Sequence, residues 1–189
     1  MNAPRQSRER GTGLIEVLVS LLIVAIGLLG LAGLQSRLQA AEFDSYQRSQ
    51  ALVLLQDMAS RIAVNRASAA SYATTAAAPL GSGMVCPLPA NNATRQQLDH
   101  AAWCRSLQGA AEVSGGVRAG AMIGGRGCIE ALPDNEYLVS VAWQGFQPIA
   151  APAAGADCGR EMYDGAAEGC SNDRCRRIVT TVVRIGSLG

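Results

Sequence analysis

The sequence contains no lysine and only one histidine, His100, so several classes of function have little support. All 16 basic residues are arginine, and the 189-residue chain carries a net charge of +1. This balance lacks the positive excess of a nucleic-acid-binding protein, so nucleic-acid binding is not expected. A single histidine limits His-paired catalysis to His100, which the pattern places on the surface or in a loop.

Motifs for catalysis and for cofactor binding are missing as well. Neither G-x-S-x-G nor a P-loop occurs, and the glycine-rich insertion from Gly109 to Gly127 has no phosphate-binding spacing. The acidic segment 154–175 lacks the D-x-D-x-D-G order of a calcium-binding EF-hand. We therefore predict a protein that is not an enzyme and that has no cofactor and no bound metal.

Cysteines are present in an even number, and all of them follow the long apolar stretch near the N-terminus. Zinc binding is disfavoured because there is no C-x₂-C pair and His100 lies in a different segment. An even count is typical of an oxidising compartment and allows up to three disulfides, with 15 possible connectivities. The disulfide candidates are Cys86, Cys104, Cys128, Cys158, Cys170 and Cys175.

Local structure suggests how these cysteines pair. A short helix over residues 98–107 would bring Cys104 near Cys86 across a proline-flanked turn, which favours a Cys86–Cys104 bridge. The Gly- and Ala-rich connection 144–176 needs a covalent restraint, and we predict Cys158–Cys175 for it. This choice leaves Cys128–Cys170 as the third bridge.

Apolar periodicity predicts one very long helix at the N-terminus. Residues 14–34 form an apolar run of membrane-spanning length, and an amphipathic pattern continues to residue 66. Residues 67–83 read as a loop, and β-strands are predicted at 128–130, 137–143 and 177–185 with a turn at 133–135. The predicted fold class is α+β, with the long helix packed on a small, disulfide-bonded antiparallel sheet.

The first residues of the chain predict its orientation in a membrane. Arg5, Arg8 and Arg10 precede the apolar run, and positive charge keeps that end in the cytoplasm. Glu16 lies within the run, where a carboxylate in hydrocarbon costs about 2.5–3.5 kcal/mol, and this cost suggests a functional role. Thr12 precedes it by four residues, so both residues lie on one face of the helix.

The segment 10–17, RGTGLIEV, resembles the class III signal of type IV pilins, in which a basic leader ends in glycine and the fifth residue after the cut is glutamate. The resemblance implies that prepilin peptidase cleaves between Gly11 and Thr12, that Thr12 becomes N-methylated, and that Glu16 pairs with a neighbouring subunit's N-terminal amine. The chain departs from the usual pattern in having Thr12 in place of Phe or Met, and Gly13 in place of Thr or Ser.

The wider layout resembles the minor pilins of the PilV type. The shared features are IEVLV at 15–19, IGLLG at 26–30, CPLP at 86–89 and VSVAWQG at 139–145. The resemblance implies the shape of a lollipop and a function in initiating type IV pilus assembly, within a tip complex of minor pilins. The implied partners are the other minor pilins, the major pilin, the inner-membrane assembly machinery and a tip adhesin.

The same resemblance implies four segments and a location. Residues 1–11 form a cleaved leader, 12–34 the transmembrane half of the helix, 35–66 its amphipathic half, and 67–189 a disulfide-bonded periplasmic domain. The protein would be a single-pass inner-membrane protein that later moves to the pilus tip. It would have a cytoplasmic N-terminus and a periplasmic C-terminal domain before assembly.

Two alternatives remain open. A minor pseudopilin of a type II secretion system shares the leader, the helix and the tip-complex function. An envelope enzyme or receptor domain, anchored by an uncleaved helix and stabilised by disulfides, belongs to a different class. An intact Met1 in the purified protein, or a cut near Gly33, would favour that second alternative.

Overall fold

The computed structural model describes residues 12–109, 113–114, 117–118, 122–165 and 168–186. Two compact units are distinguished, residues 1–42 and residues 43–189. The helices in the described part of the chain are α1 (Thr12–Val64), a 3₁₀ helix (Arg66–Tyr72) and α2 (Arg95–Leu107). The strands are β1 (Leu80–Gly81), β2 (Val113–Ser114), β3 (Val117–Arg118), β4 (Arg126–Leu132), β5 (Glu136–Gln144) and β6 (Arg176–Arg184).

Helix α1 is 53 residues long, close to the predicted span of 14–66. It ends because Asn65 has φ −95° and ψ 43°, outside the α-helical region. The chain then continues into the 3₁₀ helix, so the prediction of a loop from residue 67 was wrong for this part. The small residues of this 3₁₀ helix are held against the core by Tyr72 at its end, which is fully buried.

The first unit consists, in its described part, of the N-terminal portion of α1. The large apolar side chains from Leu14 to Leu38 are exposed. Among the described residues, α1 is the one helix that is long and apolar enough to cross a membrane, with a mean hydropathy of 2.8 in its most apolar window. It remains a continuous α-helix across Gly27, Gly30 and Gly33, where an added Cβ would contact nothing within 4 Å.

The second unit contains a four-stranded antiparallel sheet in the order β1-β4-β5-β6. The register pairs Ile129 with Val139, and Val139 with Thr181. The β4–β5 hairpin turns at Asp134 and Asn135, whose φ angles of 61° and 56° are those of a primed hairpin turn. Strands β2 and β3 form a separate two-stranded sheet.

The three long strands confirm the predicted β-segments, and the fold class is α+β as predicted. Strand β4 extends the predicted 128–130 by two residues at each end, and β5 extends 137–143 by one residue at each end. Strand β6 lies one residue earlier than the predicted 177–185. Residues 110–112, 115–116 and 119–121 of the glycine-rich insertion lie outside the described residues.

The core of the second unit forms where the C-terminal part of α1 packs on one face of the sheet. Its helix residues recur at steps of three or four, which places them on a single face. Trp103 of α2 closes the same core, and its Nε1–H donates a hydrogen bond to the carbonyl oxygen of Leu54 at 2.9 Å. The fully buried residues of this core include Ala51, Leu55, Met58, Ile62, Tyr72, Trp103, Leu107, Ile129, Val139 and Val141.

All six cysteines are described, and they form three disulfides. The predicted Cys86–Cys104 bridge is confirmed, with a Cα–Cα distance of 5.6 Å. The predicted Cys158–Cys175 and Cys128–Cys170 bridges were wrong. The observed pairs are Cys128–Cys158 and Cys170–Cys175, with Cα–Cα distances of 5.7 and 5.2 Å.

Folding of the β5–β6 connection explains the corrected pairing. The connection crosses the sheet face opposite α1, which brings Cys158 to Cys128 on β4, while Gly159 lies against Ala142 of β5. Close to β6 the chain turns tightly, with Asn172 and Asp173 at positive φ, so Cys170 meets Cys175 across a very short loop. Neither pairing can be predicted from the spacing of the cysteines in the sequence.

Carboxylates order this connection by accepting backbone hydrogen bonds. Asp164 accepts from the N–H groups of Asn172 and Asp173 at 2.9 and 3.0 Å, and Asp173 accepts from the N–H of Glu161 at 2.7 Å. Buried Arg176 donates to Asp173 at 2.9 Å and to the Cys158 carbonyl at 3.2 Å. Asp164 and Asp173 therefore hold parts of this segment together.

Candidate functional site

The candidate assembly segment comprises Gly11, Thr12 and Glu16. Helix α1 begins at Thr12. Gly11 lies outside the described residues, so cleavage before Thr12 stays a prediction. Glu16 lies one helical turn into α1, and its side chain is exposed.

Glu16 is the sole charged residue of the chain between Thr12 and Ser36. It has no ion-pair partner within the residues that the structure describes. A carboxylate on an exposed apolar helix is costly to place in lipid, and a cation from another molecule would reduce that cost. The segment is thus chemically suited to pairing with a positively charged group near a membrane surface.

A second polar site lies in the second unit, centred on the carboxylate of Asp99 in α2. Asp99 is 1% exposed. It accepts hydrogen bonds from Arg61 Nη1 at 2.7 Å and from the Tyr72 hydroxyl at 2.6 Å, and Arg95 Nε lies 3.3 Å from its second oxygen. Arg61 also donates to Asp57, four residues earlier on α1. The carboxylate thus connects α1, the 3₁₀ helix and α2.

Electrostatic interactions in this network favour an ionised Asp99 and a protonated Tyr72. Desolvation by burial opposes the charge of Asp99, but the hydrogen bonds from Tyr72 and Arg61 and the charge of Arg95 outweigh it, so its pKa lies below the ordinary value. Burial and the bond to Asp99 raise the pKa of Tyr72. Tyr72 therefore remains a neutral donor to an ionised acceptor.

His100 belongs to the same cluster, so its predicted position as a surface or loop residue was wrong. It lies within α2, partly buried, with Nε2 at 3.1 Å from the Tyr72 carbonyl oxygen and Nδ1 at 2.8 Å from Gln96 Nε2. A carbonyl only accepts and an amide nitrogen only donates, which assigns the neutral tautomer with the proton on Nε2. Burial lowers the pKa of His100 despite the bond to the Tyr72 carbonyl and the nearby charge of Asp99.

A surface recess of about 430 Å³ opens beside the network and is lined by Asp57, Arg61, Asn65, Arg95 and Asp99. Its two carboxylates and two arginines are already bonded to one another. Ser60 and Val64 complete the described lining of the recess. Its chemistry is that of a structural ion-pair network that fixes the end of α1 to its surroundings.

The network was not predicted from the sequence, although one sequence signal indicates where α2, the helix that carries Asp99, begins. Thr94 and Gln97 form a capping box at the start of α2, in which each side chain accepts from the other residue's N–H. The spacing T-x-x-Q predicts a helix start at Arg95 rather than at Leu98. With that start, Arg95 and Asp99 are one turn apart on α2.

Comparisons with known proteins find two adjoining family matches. Residues 6–32 match the prokaryotic N-terminal methylation motif, and residues 33–111 match the family of type IV pilin Tt1218. Searches of curated proteins and of solved structures each found no match. The chain therefore carries a prokaryotic N-terminal methylation motif followed directly by a Tt1218-like type IV pilin region.

Proposed function

We propose that this protein is a minor pilin, similar to the PilV type, that helps to initiate type IV pilus assembly within a tip-associated complex. The observation that carries the proposal is the lone, exposed Glu16 one turn after Thr12 on α1, inside the region matching the methylation motif. A pilin with that motif is processed by prepilin peptidase and assembles with other pilins. The initiation of pilus assembly is the more specific role that we propose.

Cleavage after Gly11 frees the α-amino group of Thr12. In a bundle of such helices, this amine pairs with the Glu16 carboxylate of a neighbouring subunit, and the pairing offsets the desolvation of both charges. The helix portion 12–34 is stored in the inner membrane and 35–66 is its amphipathic continuation, with 67–189 in the periplasm. Assembly moves the subunit to the pilus tip, where other minor pilins, the major pilin and an adhesin are its neighbours.

Variants of Glu16 test the pairing. In cells lacking the wild-type copy, we expect Glu16→Ala and Glu16→Gln to reduce the number of surface pili strongly, and Glu16→Asp to retain part of it. Ser20→Ala, one turn further along the same face, serves as the matched control and leaves piliation unchanged. Membrane fractionation should find all four proteins in the inner membrane, and normal piliation with Glu16→Ala would contradict the proposal.

Processing needs a separate measurement. Mass spectrometry of the purified protein should find Thr12 as the N-terminus, carrying one methyl group. An N-terminus at Met1 or near Gly33 would instead favour the membrane-anchored envelope protein.

The pseudopilin alternative gives a different phenotype. Deletion of the gene should lower surface piliation and leave the secretion of folded exoproteins intact if the protein acts in the pilus. Loss of secretion with normal piliation would assign the protein to a type II secretion system.

A further inference from the structure

Strand β6 forms one edge of the four-stranded sheet in the described part of the chain. The N–H of Ile185 donates to the Asn135 carbonyl at 3.1 Å, so the backbone groups of odd-numbered residues in β6 face β5. The N–H and C=O groups of Ile178, Thr180 and Val182 then point away from the sheet. Within the described residues, no backbone hydrogen bond to these groups is present.

This edge lacks the usual protection against strand pairing. Residues 178–183 read IVTTVV, without a charge, a proline or a glycine. The register to β5 is continuous from Arg176 to Arg184, so no bulge twists the edge away. Thr180 and Val182 are exposed, and β-branched residues favour an extended partner strand.

The strand is also held in position before any partner arrives. Cys175, directly before β6, is fully buried and bonded to Cys170, and Arg176 is anchored to Asp173. At the other end, Arg66 Nη2 donates to the Gly186 carbonyl at 2.7 Å. An edge fixed at both ends loses little conformational freedom on binding.

Charge selects against a second copy of the chain. Strand β6 contains three arginines and no acidic residue, so the β6 edge of a second copy would bring no carboxylate to pair with Arg184. Arg184 contacts Glu136 at 2.7 Å, yet 78% of its side chain remains exposed. An acidic residue on an incoming strand can therefore reach Arg184.

We propose that β6 binds an extended segment of a different protein, which adds to the sheet as an antiparallel fifth strand. Main-chain hydrogen bonds to Ile178, Thr180 and Val182 supply the binding, and an acidic residue near the N-terminus of the segment pairs with Arg184. This inference does not depend on cleavage at Gly11 or on Glu16.

Two peptides of the same composition test it. Both are capped nine-residue peptides of alternating valine and threonine, one with glutamate at position 2 and the other with glutamate at position 8. Binding to the full chain in detergent micelles is measured by fluorescence anisotropy. We expect the first peptide to bind about threefold more tightly, since an antiparallel strand places its glutamate at Arg184 and an exposed ion pair contributes modestly.

Variants of Thr180 test the backbone bonds. Thr180→Val keeps the outward N–H and should bind like the wild type. Thr180→Pro removes that N–H and should weaken binding by at least about tenfold, with near-UV circular dichroism reporting whether the fold is retained. A peptide methylated at alternate backbone nitrogens on its pairing edge gives the same answer without altering the protein, and should not bind.

The opposite results would overturn the proposal. The proposal is wrong if neither peptide binds or if both bind equally well. It is also wrong if a peptide binds equally well to Thr180→Val and Thr180→Pro. Binding of the N-methylated peptide would also overturn it. Self-association of the wild-type chain that Thr180→Pro abolishes would mean that the occupant of the edge is a second copy.

Discussion

At the scale of single residues, Asp99 is a buried charge of the second unit that is bonded to residues of three helices. Its carboxylate accepts bonds from Arg61 and Tyr72 and neighbours Arg95, while only 1% of the residue is exposed. Sequence alone did not single out Asp99, because its partners lie up to 38 residues away and meet it only after α1 and α2 pack. By contrast, Glu16 was identifiable because its surroundings in the sequence are uniformly apolar.

Removing the charge of Asp99 should destabilise the protein. We expect Asp99→Asn to lower the free energy of unfolding by about 2–3 kcal/mol, the scale of a buried hydrogen bond to a charged group. Denaturant unfolding of the full chain in micelles measures this. Asp134→Asn is the control, since Asp134 is exposed at positive φ, where asparagine is well tolerated; equal effects of the two changes would contradict the role of Asp99.

His100 should make stability depend on pH. Its pKa is lower in the folded protein than the unfolded value of about 6.5, so the unfolded state binds more protons as the pH falls below 6.5. Stability is therefore complete above about pH 6.5 and declines below it. Asp99, whose pKa is also lowered, adds a further decline below its ordinary value of 3.8.

The melting temperature between pH 7.5 and pH 5 reports the contribution of His100. We expect His100→Gln to flatten the decline in that range, because glutamine does not titrate. An unchanged slope in the variant would exclude His100 as its source.

At the scale of elements, the sequence predicted the long helix, the three long strands and their class correctly. Apolar periodicity and β-branched runs are local signals, and they were sufficient for α1 and β6. The 3₁₀ helix, β1 and the start of α2 were missed because their order comes from Tyr72, from pairing with β4 and from the Thr94 cap. Two of three disulfide pairings failed since they depend on how a long connection folds across the sheet.

The corrected disulfides predict a ranking of stabilities. In the chain-entropy model, closing the loop between Cys128 and Cys158, 30 residues apart, stabilises the fold more than closing Cys170–Cys175, 5 residues apart. We expect the double Cys→Ser variant of the first pair to cost about 1–2 kcal/mol more than that of the second. Thermal unfolding of both variants checks the order, and a reversed order would point to enthalpic effects.

The contact between α2 and β4 depends on a glycine. A Cβ at Gly127 would lie 2.3 Å from Trp103 Cη2 and 2.9 Å from Leu107 Cδ1. We expect Gly127→Ala to destabilise the protein by about 1–3 kcal/mol through overpacking. Gly186→Ala, where a Cβ meets nothing within 4 Å, should be nearly neutral in the same unfolding measurement.

At the scale of the whole molecule, the two units differ in how far their apolar side chains are buried. In the first unit, the large apolar side chains from Leu14 to Leu34 are exposed along the helix, and their natural surroundings are lipid or other helices. The second unit has a buried apolar core around Trp103 and the sheet, and its exposed apolar residues, such as Val85 and Leu88, do not form a continuous run along the sequence. A chain of this kind needs detergent when purified at full length, and sedimentation without detergent should show large aggregates.

The core joins the two ends of the second unit in a way that bears on the time course of folding. Ala51 of α1 and Val183 of β6 belong to one buried cluster although most of the chain separates them. Contacts of such long sequence separation form slowly and late. Helix residues 51–62 are synthesised long before β6, so part of their apolar face stays uncovered in the growing chain until residues 176–184 have been made.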